Sequence, residues 1–153
     1  MVARDVNGNP IEVPRWRRLA GRFGSGRKPN GELSVDDSSL LITAESFDDA
    51  EAASTTLSAS LWRSGDQAVL RHLLVVPGGE VEEVLSVAAQ DHYRRVSADA
   101  PGTVEIGRGQ EFVALARVQL IDALHVSQER SRMAGLAQRH DGTVLAWQVL
   151  QPR

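Results

Sequence analysis

Cysteine is absent from this chain of 153 residues, and aromatic residues make up only 5% of it. Without cysteine there is no disulfide framework, no cysteine-based zinc site and no thiol nucleophile. Long apolar runs are lacking as well: residues 73–76 are typical of the longest, whereas a membrane-spanning helix needs about 20 apolar residues in a row. No apolar stretch follows Met1, so we expect no secretory signal and no transmembrane segment, and we expect a cytoplasmic protein.

The composition is otherwise that of an ordinary globular protein, with 42% hydrophobic and 24% charged residues. Its charge is unevenly distributed. Residues 1–31 carry seven basic and two acidic side chains, whereas residues 32–153 carry ten basic and eighteen acidic ones. Turn and linker residues also concentrate near the N-terminus. We therefore predict a basic, flexible N-terminal arm over 1–38 and a single acidic domain over 39–153.

Hydrophobic periodicity predicts most of the secondary structure of this domain. The predicted strands lie at 69–76, 103–106, 111–120 and 143–150, and the predicted helices at 46–61, 81–92 and 122–140. Residues 39–43 form either a further short strand or the lead into the first helix, which Ser46 would cap. Asp122 is placed to cap the last helix, and Asp141 and Gly142 are placed to end it.

From residue 68 onward the predicted order is strand, helix, strand, strand, helix, strand. This is the order of the ferredoxin-like βαββαβ unit. Two right-handed crossovers would place both helices on one face of a four-stranded antiparallel sheet. We therefore predict an α+β, ferredoxin-like sandwich with an additional N-terminal helix, which would either cap a sheet edge or cover the open face.

This unit carries a resemblance to a known family. Its first strand ends in proline, Arg130 and Leu136 recur on its last helix, and the chain closes with His140, Gly142 and Trp147. Over residues 46–150 the chain thereby resembles the RraB-like inhibitors of ribonuclease E. The resemblance implies a small, non-catalytic cytoplasmic protein that binds ribonuclease E and alters RNA turnover. The chain departs from the family in replacing an Asp-Gly-Trp ending by Leu-Ala-Trp and in having a less acidic body.

Motifs for catalysis, metals or cofactors are lacking, so we expect no enzyme activity and no cofactor. The four histidines do not have the spacing of a zinc site; they are His72, His92, His125 and His140. No serine lies in a nucleophile elbow, and neither 24–26 nor 107–109 matches a phosphate-binding loop. We expect His140 to interact with the free carbonyl groups at the end of its helix.

The most specific interaction signal is the run Arg15, Trp16, Arg17 and Arg18 in the arm, because arginine and tryptophan are favoured at interface hot spots. Two functional hypotheses remain. In the first, a non-enzymatic regulatory protein binds a protein partner, such as a ribonuclease, through its acidic body. In the alternative, an RNA- or ligand-binding module uses the arm. The arm would otherwise be a solubilising tail or dock on the acidic body, and the sequence leaves open whether the protein forms a homodimer.

Overall fold

The computed structural model describes residues 3–11 and 33–153, in which five strands form one antiparallel sheet beside three α-helices. The strands are β1 (Leu40–Ser46), β2 (Ala68–Pro77), β3 (Arg94–Val96), β4 (Gln110–Gln119) and β5 (Thr143–Pro152). The helices are α1 (Ala53–Ser58), α2 (Val81–Ala89) and α3 (Ala123–Arg139). The sheet order is β1-β5-β2-β4-β3. None of these helices is long and apolar enough to cross a membrane.

Strand β2 lies at the centre of the sheet because both of its faces are apolar. Eight of its ten residues are buried, and it pairs along its length with β4 on one side and with β5 on the other. Leu74 and Val76 pack toward the helices, whereas Val69 and Leu73 belong to clusters of the opposite face. The continuous apolar run, rather than an alternating one, is what a strand covered on both faces requires.

Helix α3 begins and ends where the sequence predicts. Asp122 is its N-cap and accepts a hydrogen bond from the backbone N–H of His125. At the other end, Asp141 adopts a left-handed φ of 57°, and the N–H of Gly142 donates to the carbonyl of Ala137. The chain then enters β5 directly, so α3 lies across the sheet next to the strand that follows it.

Three of the predicted elements are wrong in place or extent. The sheet has five strands rather than four, because residues 40–46 form edge strand β1. Ser46 belongs to β1 and does not cap a helix; helix α1 is confined to Ala53–Ser58, and its N-cap residue is Ala52. The strand predicted at 103–106 is absent from the described residues, and the short β3 pairs with β4 instead.

The described part of the N-terminal region is hydrogen-bonded to the domain. The backbone N–H and carbonyl of Arg4 both bond to the side chain of Gln67, and the carbonyl of Val6 accepts from Gln119. Gly8, with a φ of 75°, lies so close to Arg117 that a Cβ atom would come within 2.9 Å of its side chain. The predicted contact residues Arg15, Trp16, Arg17 and Arg18 lie outside the described residues.

Candidate functional site

A half-open groove of about 550 Å³ lies between helix α3, strand β5 and the segment that joins β1 to α1. Its volume is within the usual range for small-molecule pockets. Ser127, Arg130 and Ser131 line it from α3, and the rings of His72 and Trp147 lie at its floor. We call this feature the groove and refer to residues 47–52, which form its outer wall, as the wall segment.

Arg130 holds the wall segment against α3. Its guanidinium donates hydrogen bonds to the backbone carbonyls of Glu51 at 2.7 Å, Asp48 at 3.1 Å and Asp49 at 3.2 Å. The same guanidinium carbon lies 5.7 Å from the centre of the Trp147 ring, a cation–π distance. One side chain therefore connects the wall, the helix and the floor.

The carboxylates of Asp48, Asp49 and Glu51 form the rim of the groove, which we call the acidic lip. Asp48 accepts a hydrogen bond from the N–H of Ala50, and Glu51 accepts one from the hydroxyl of Thr56. Within residues 3–11 and 33–153, no arginine or histidine side chain forms an ion pair with any of the three. Because Arg130 uses the backbone carbonyls, the negative charge of the lip is left facing solvent.

The floor is made by two neighbouring strands. His72 of β2 and Trp147 of β5 are directly opposite each other in the sheet register, and their side chains are 0% and 2% exposed. His72 Nδ1 and Trp147 Nε1 are both buried without a hydrogen-bond partner among the described residues. A buried polar group left unpaired costs about 1–3 kcal/mol, so two such groups side by side indicate a place where a ligand can be bound.

A buried polar network lies behind His72. Tyr93 OH donates to Glu129 at 2.8 Å and lies 3.4 Å from His72 Nε2. Glu129 in turn forms an ion pair with Arg117 at 3.2 Å, and the guanidinium of Arg117 lies 4.6 Å from the centre of the Tyr93 ring. Since the Tyr93 proton goes to Glu129, the Tyr93 oxygen is free to accept, and we assign the His72 proton to Nε2.

This environment keeps His72 neutral. Burial, reinforced by the positive charges of Arg117 and Arg130, lowers the pKa of His72 to about 3. Burial also raises the pKa of Tyr93 well above its usual range, and the neighbouring carboxylate of Glu129 acts in the same direction. At neutral pH the floor therefore presents an uncharged imidazole with a lone pair on Nδ1 and an indole N–H, which favours recognition over proton transfer.

The residues predicted from the family pattern do not converge on one site. Trp147 lies at the floor of the groove. His140 Nδ1 instead contacts the carboxylate of Glu80 at 2.7 Å, at the far end of α3. Gly142, two residues after His140, has a structural role, since a Cβ atom there would lie 2.7 Å from the carbonyl oxygen of Val75.

Sequence analysis did not single out the floor and its network as a site. The spacing of the four histidines gives no sign of a shared site, although the position of His72 inside an apolar strand indicates that it is buried. Tyr93 lies in the connection before β3, Arg117 in β4 and Glu129 in α3, and no spacing in the sequence relates them. Their association depends on the strand order, which single-sequence patterns do not determine.

Comparisons with known proteins give no further information about this site: no protein-family model, curated protein or solved structure matches the chain. Within the described part of the chain, no group of three or more histidine, aspartate or glutamate side chains is placed to hold a metal ion. The assignment of a function therefore depends on the groove and its charges.

Proposed function

We propose that this chain is a non-enzymatic regulatory protein that binds a protein partner, and that a basic segment of the partner lies along the acidic lip. The observation that carries the proposal is the position of Asp48 and Asp49 at the rim of a groove large enough to receive side chains. Complementary charge across such a rim raises the rate of association and selects the partner.

The distribution of charge over the domain supports a basic partner. The described residues carry eleven basic and eighteen acidic side chains. Five of the arginines are already paired with carboxylates, which leaves an excess of unpaired negative charge; the pairs are Arg63–Asp66, Arg94–Asp36, Arg95–Glu111, Arg132–Asp91 and the buried Arg117–Glu129. A surface of this kind repels nucleic acid phosphates.

The state of His72 supports binding rather than catalysis. It is the titratable side chain at the floor, and its pKa of about 3 keeps it in the neutral form near pH 7, so it has no imidazolium proton to give as a general acid. A general acid or base works best when its pKa is close to the operating pH. We therefore assign the groove to recognition.

The resemblance to RraB-like inhibitors supports a ribonuclease as the partner. In this proposal the acidic face covers a basic, RNA-handling surface of the ribonuclease, and no residue of the chain takes part in chemistry. We also propose that β2 to β5, with α2 and α3, form a ferredoxin-like unit to which β1 is added at one edge. The order β5-β2-β4-β3 and the two helices on one face support that assignment.

Capture of the tagged full-length protein from a native lysate, with and without nuclease, tests the proposal. We expect a ribonuclease, or a protein associated with one, to be recovered in both samples. Substitution of Arg15, Arg17 and Arg18 by alanine is the companion variant, because it leaves the docked residues 3–11 in place. We expect it to retain the partner.

The opposite pattern would contradict the proposal. Loss of every partner on nuclease treatment, together with loss of binding in the triple arginine variant, would assign the function to RNA binding by the arm. The acidic domain would then be the support that presents the arm.

A further inference from the structure

The two unpartnered nitrogens at the floor of the groove differ in what they offer. His72 carries its proton on Nε2, next to the oxygen of Tyr93, so its Nδ1 is a hydrogen-bond acceptor. The indole Nε1 of Trp147 is a donor only. Because these residues are directly opposite on adjacent strands, their side chains start about 5 Å apart.

We propose that the floor of the groove binds a planar carboxamide, whose N–H donates to His72 Nδ1 and whose carbonyl oxygen accepts from Trp147 Nε1. A carboxamide presents a donor and an acceptor side by side in one plane and, unlike a carboxylic acid, stays neutral at pH 7. If the amide is an asparagine or glutamine side chain of the partner, this proposal deepens the proposed function and rests on it. If the amide belongs to a small molecule, the proposal does not rest on that function.

Charged ligands fit this floor less well. A cation moved next to two buried, neutral rings would lose its hydration and would lie close to the positive charge of Arg130. The acidic lip opposes anions such as phosphate or carboxylate on their way in. A neutral amide avoids both problems, and its flat face suits a site bordered by the ring of Trp147.

The amide reaches the floor only if the groove opens slightly, because His72 and Trp147 are almost fully covered. Arg130 is the side chain that has to adjust: it lies over the Trp147 ring and holds the wall segment through backbone carbonyls at 2.7–3.2 Å. Its positively charged head is half-buried, so it can move toward solvent while its stem remains on α3.

Nuclear magnetic resonance of the isolated full-length protein tests the proposal with nicotinamide as the probe. We expect nicotinamide, at up to millimolar concentration, to shift the Trp147 indole N–H resonance and the His72 Nδ1 resonance together. Nicotinate replaces the amide by a carboxylate, and 3-acetylpyridine keeps the carbonyl but lacks the N–H. We expect neither to shift both resonances.

Two tryptophan variants provide the matched control. Trp147→Phe removes the floor donor, and we expect it to abolish the shift at His72. Trp62→Phe removes another buried indole N–H without a partner, but Trp62 does not line the groove, so the shift at His72 should persist. If nicotinamide shifts the His72 resonance equally in the Trp147→Phe protein, the assignment is overturned.

A second set of probes identifies the source of the amide. An Arg-Gln-Arg peptide that shifts both ring nitrogens, when Arg-Leu-Arg does not, supports a partner side chain, whereas a response to nicotinamide alone supports a small molecule. Absence of any shift with nicotinamide and with the glutamine peptide overturns the inference. Capture of a ribonuclease by the same protein would still support the proposed function, so the two failures can be told apart.

Discussion

His72 lies in the middle of the sheet, fully buried and neutral, and this gives the protein a measurable response to acid. The pKa of His72 is about 3 in the folded state and about 6.5 in an unfolded chain. Between these values the unfolded chain binds a proton that the folded protein does not. The stability that this histidine contributes is therefore fully present above about pH 6.5 and is lost as the pH falls toward 3.

We predict that His72→Gln makes the free energy of unfolding less dependent on pH. One proton changes the slope by at most about 1.4 kcal/mol per pH unit. Urea unfolding at several pH values from 7 to 4 measures that slope for both proteins. The comparison removes the contribution of the carboxylates, which both proteins share. Equal slopes would mean that His72 can be protonated in the folded state.

The Arg117–Glu129 ion pair is a second buried feature at the scale of single residues, since both side chains are almost fully buried. We predict that Glu129→Gln destabilises the protein by about 3–5 kcal/mol, because Arg117 then remains buried without its counter-charge. Adding Arg117→Met removes that charge, while the glutamine still accepts from Tyr93. The double variant should lose less than the sum of the two single variants by about 1–3 kcal/mol in urea unfolding. Additive losses would contradict an energetic coupling.

Individual residues could be predicted from the sequence only where their neighbours in the chain define their surroundings. Asp122 precedes an amphipathic stretch, and its role as an N-cap follows from that position alone. Glu129 lies in the same helix, yet its sequence neighbours do not indicate a buried arginine as its partner. The ion pair forms because the fold brings Glu129 of α3 against Arg117 of β4, a contact between two different elements that the sequence neighbours of neither residue indicate.

At the scale of elements, the junction between α3 and β5 depends on a glycine. A Cβ atom at Gly142 would lie 2.5 Å from Val76 Cγ1 and 2.7 Å from the backbone oxygen of Val75. The backbone oxygen cannot move without disturbing β2. The close approach explains why a glycine follows the helix here and why β5 begins beside the centre of the sheet.

We predict that Gly142→Ala destabilises the protein by about 1–3 kcal/mol, the usual range for overpacking. Gly102→Ala is the matched control, because nothing lies within 4 Å of its Cβ position. We expect the control to stay within about 0.5 kcal/mol of the parent protein in thermal or urea unfolding. Similar losses in both variants would show that the contact at Gly142 is not responsible.

The prediction of elements succeeded for long periodic segments and failed for short ones. Strand β4 and helix α3 each have enough apolar residues to define a period, and β2 is recognisable as a long, nearly continuous apolar run. Strand β3 has only three residues, two of them exposed arginines at a sheet edge, so it has no apolar pattern. Helix α1 is shorter than its apolar spacing suggested because β1 continues as far as Ser46, and the wall segment then separates it from the helix.

For the whole molecule, the sequence correctly predicted an α+β architecture, but it left residues 39–43 open between a short strand and the lead into a helix, and its predicted four-stranded sheet lacked the fifth strand. β1 extends the sheet next to β5 and thereby brings the wall segment over the floor residues. The groove is thus a product of the complete sheet. Its acidic lip depends on three carboxylates that, in the sequence, resemble the acidic first turn of an ordinary solvent-exposed helix.

The central claim is that the acidic lip binds the partner, and the salt dependence of capture tests it most directly. Asp48→Asn with Asp49→Asn removes two negative charges from the lip, while the asparagine at 48 can still accept from Ala50. Glu82→Gln with Glu83→Gln removes two exposed charges from α2 and is the matched control.

We predict that the lip variant binds the captured ribonuclease partner roughly tenfold more weakly at low salt, since each exposed ion pair contributes up to about 1 kcal/mol. The difference should shrink as salt is added, and the α2 variant should bind like the parent protein. If the lip and α2 variants bind equally well at every salt concentration, the acidic lip is not the contact surface and the account is wrong.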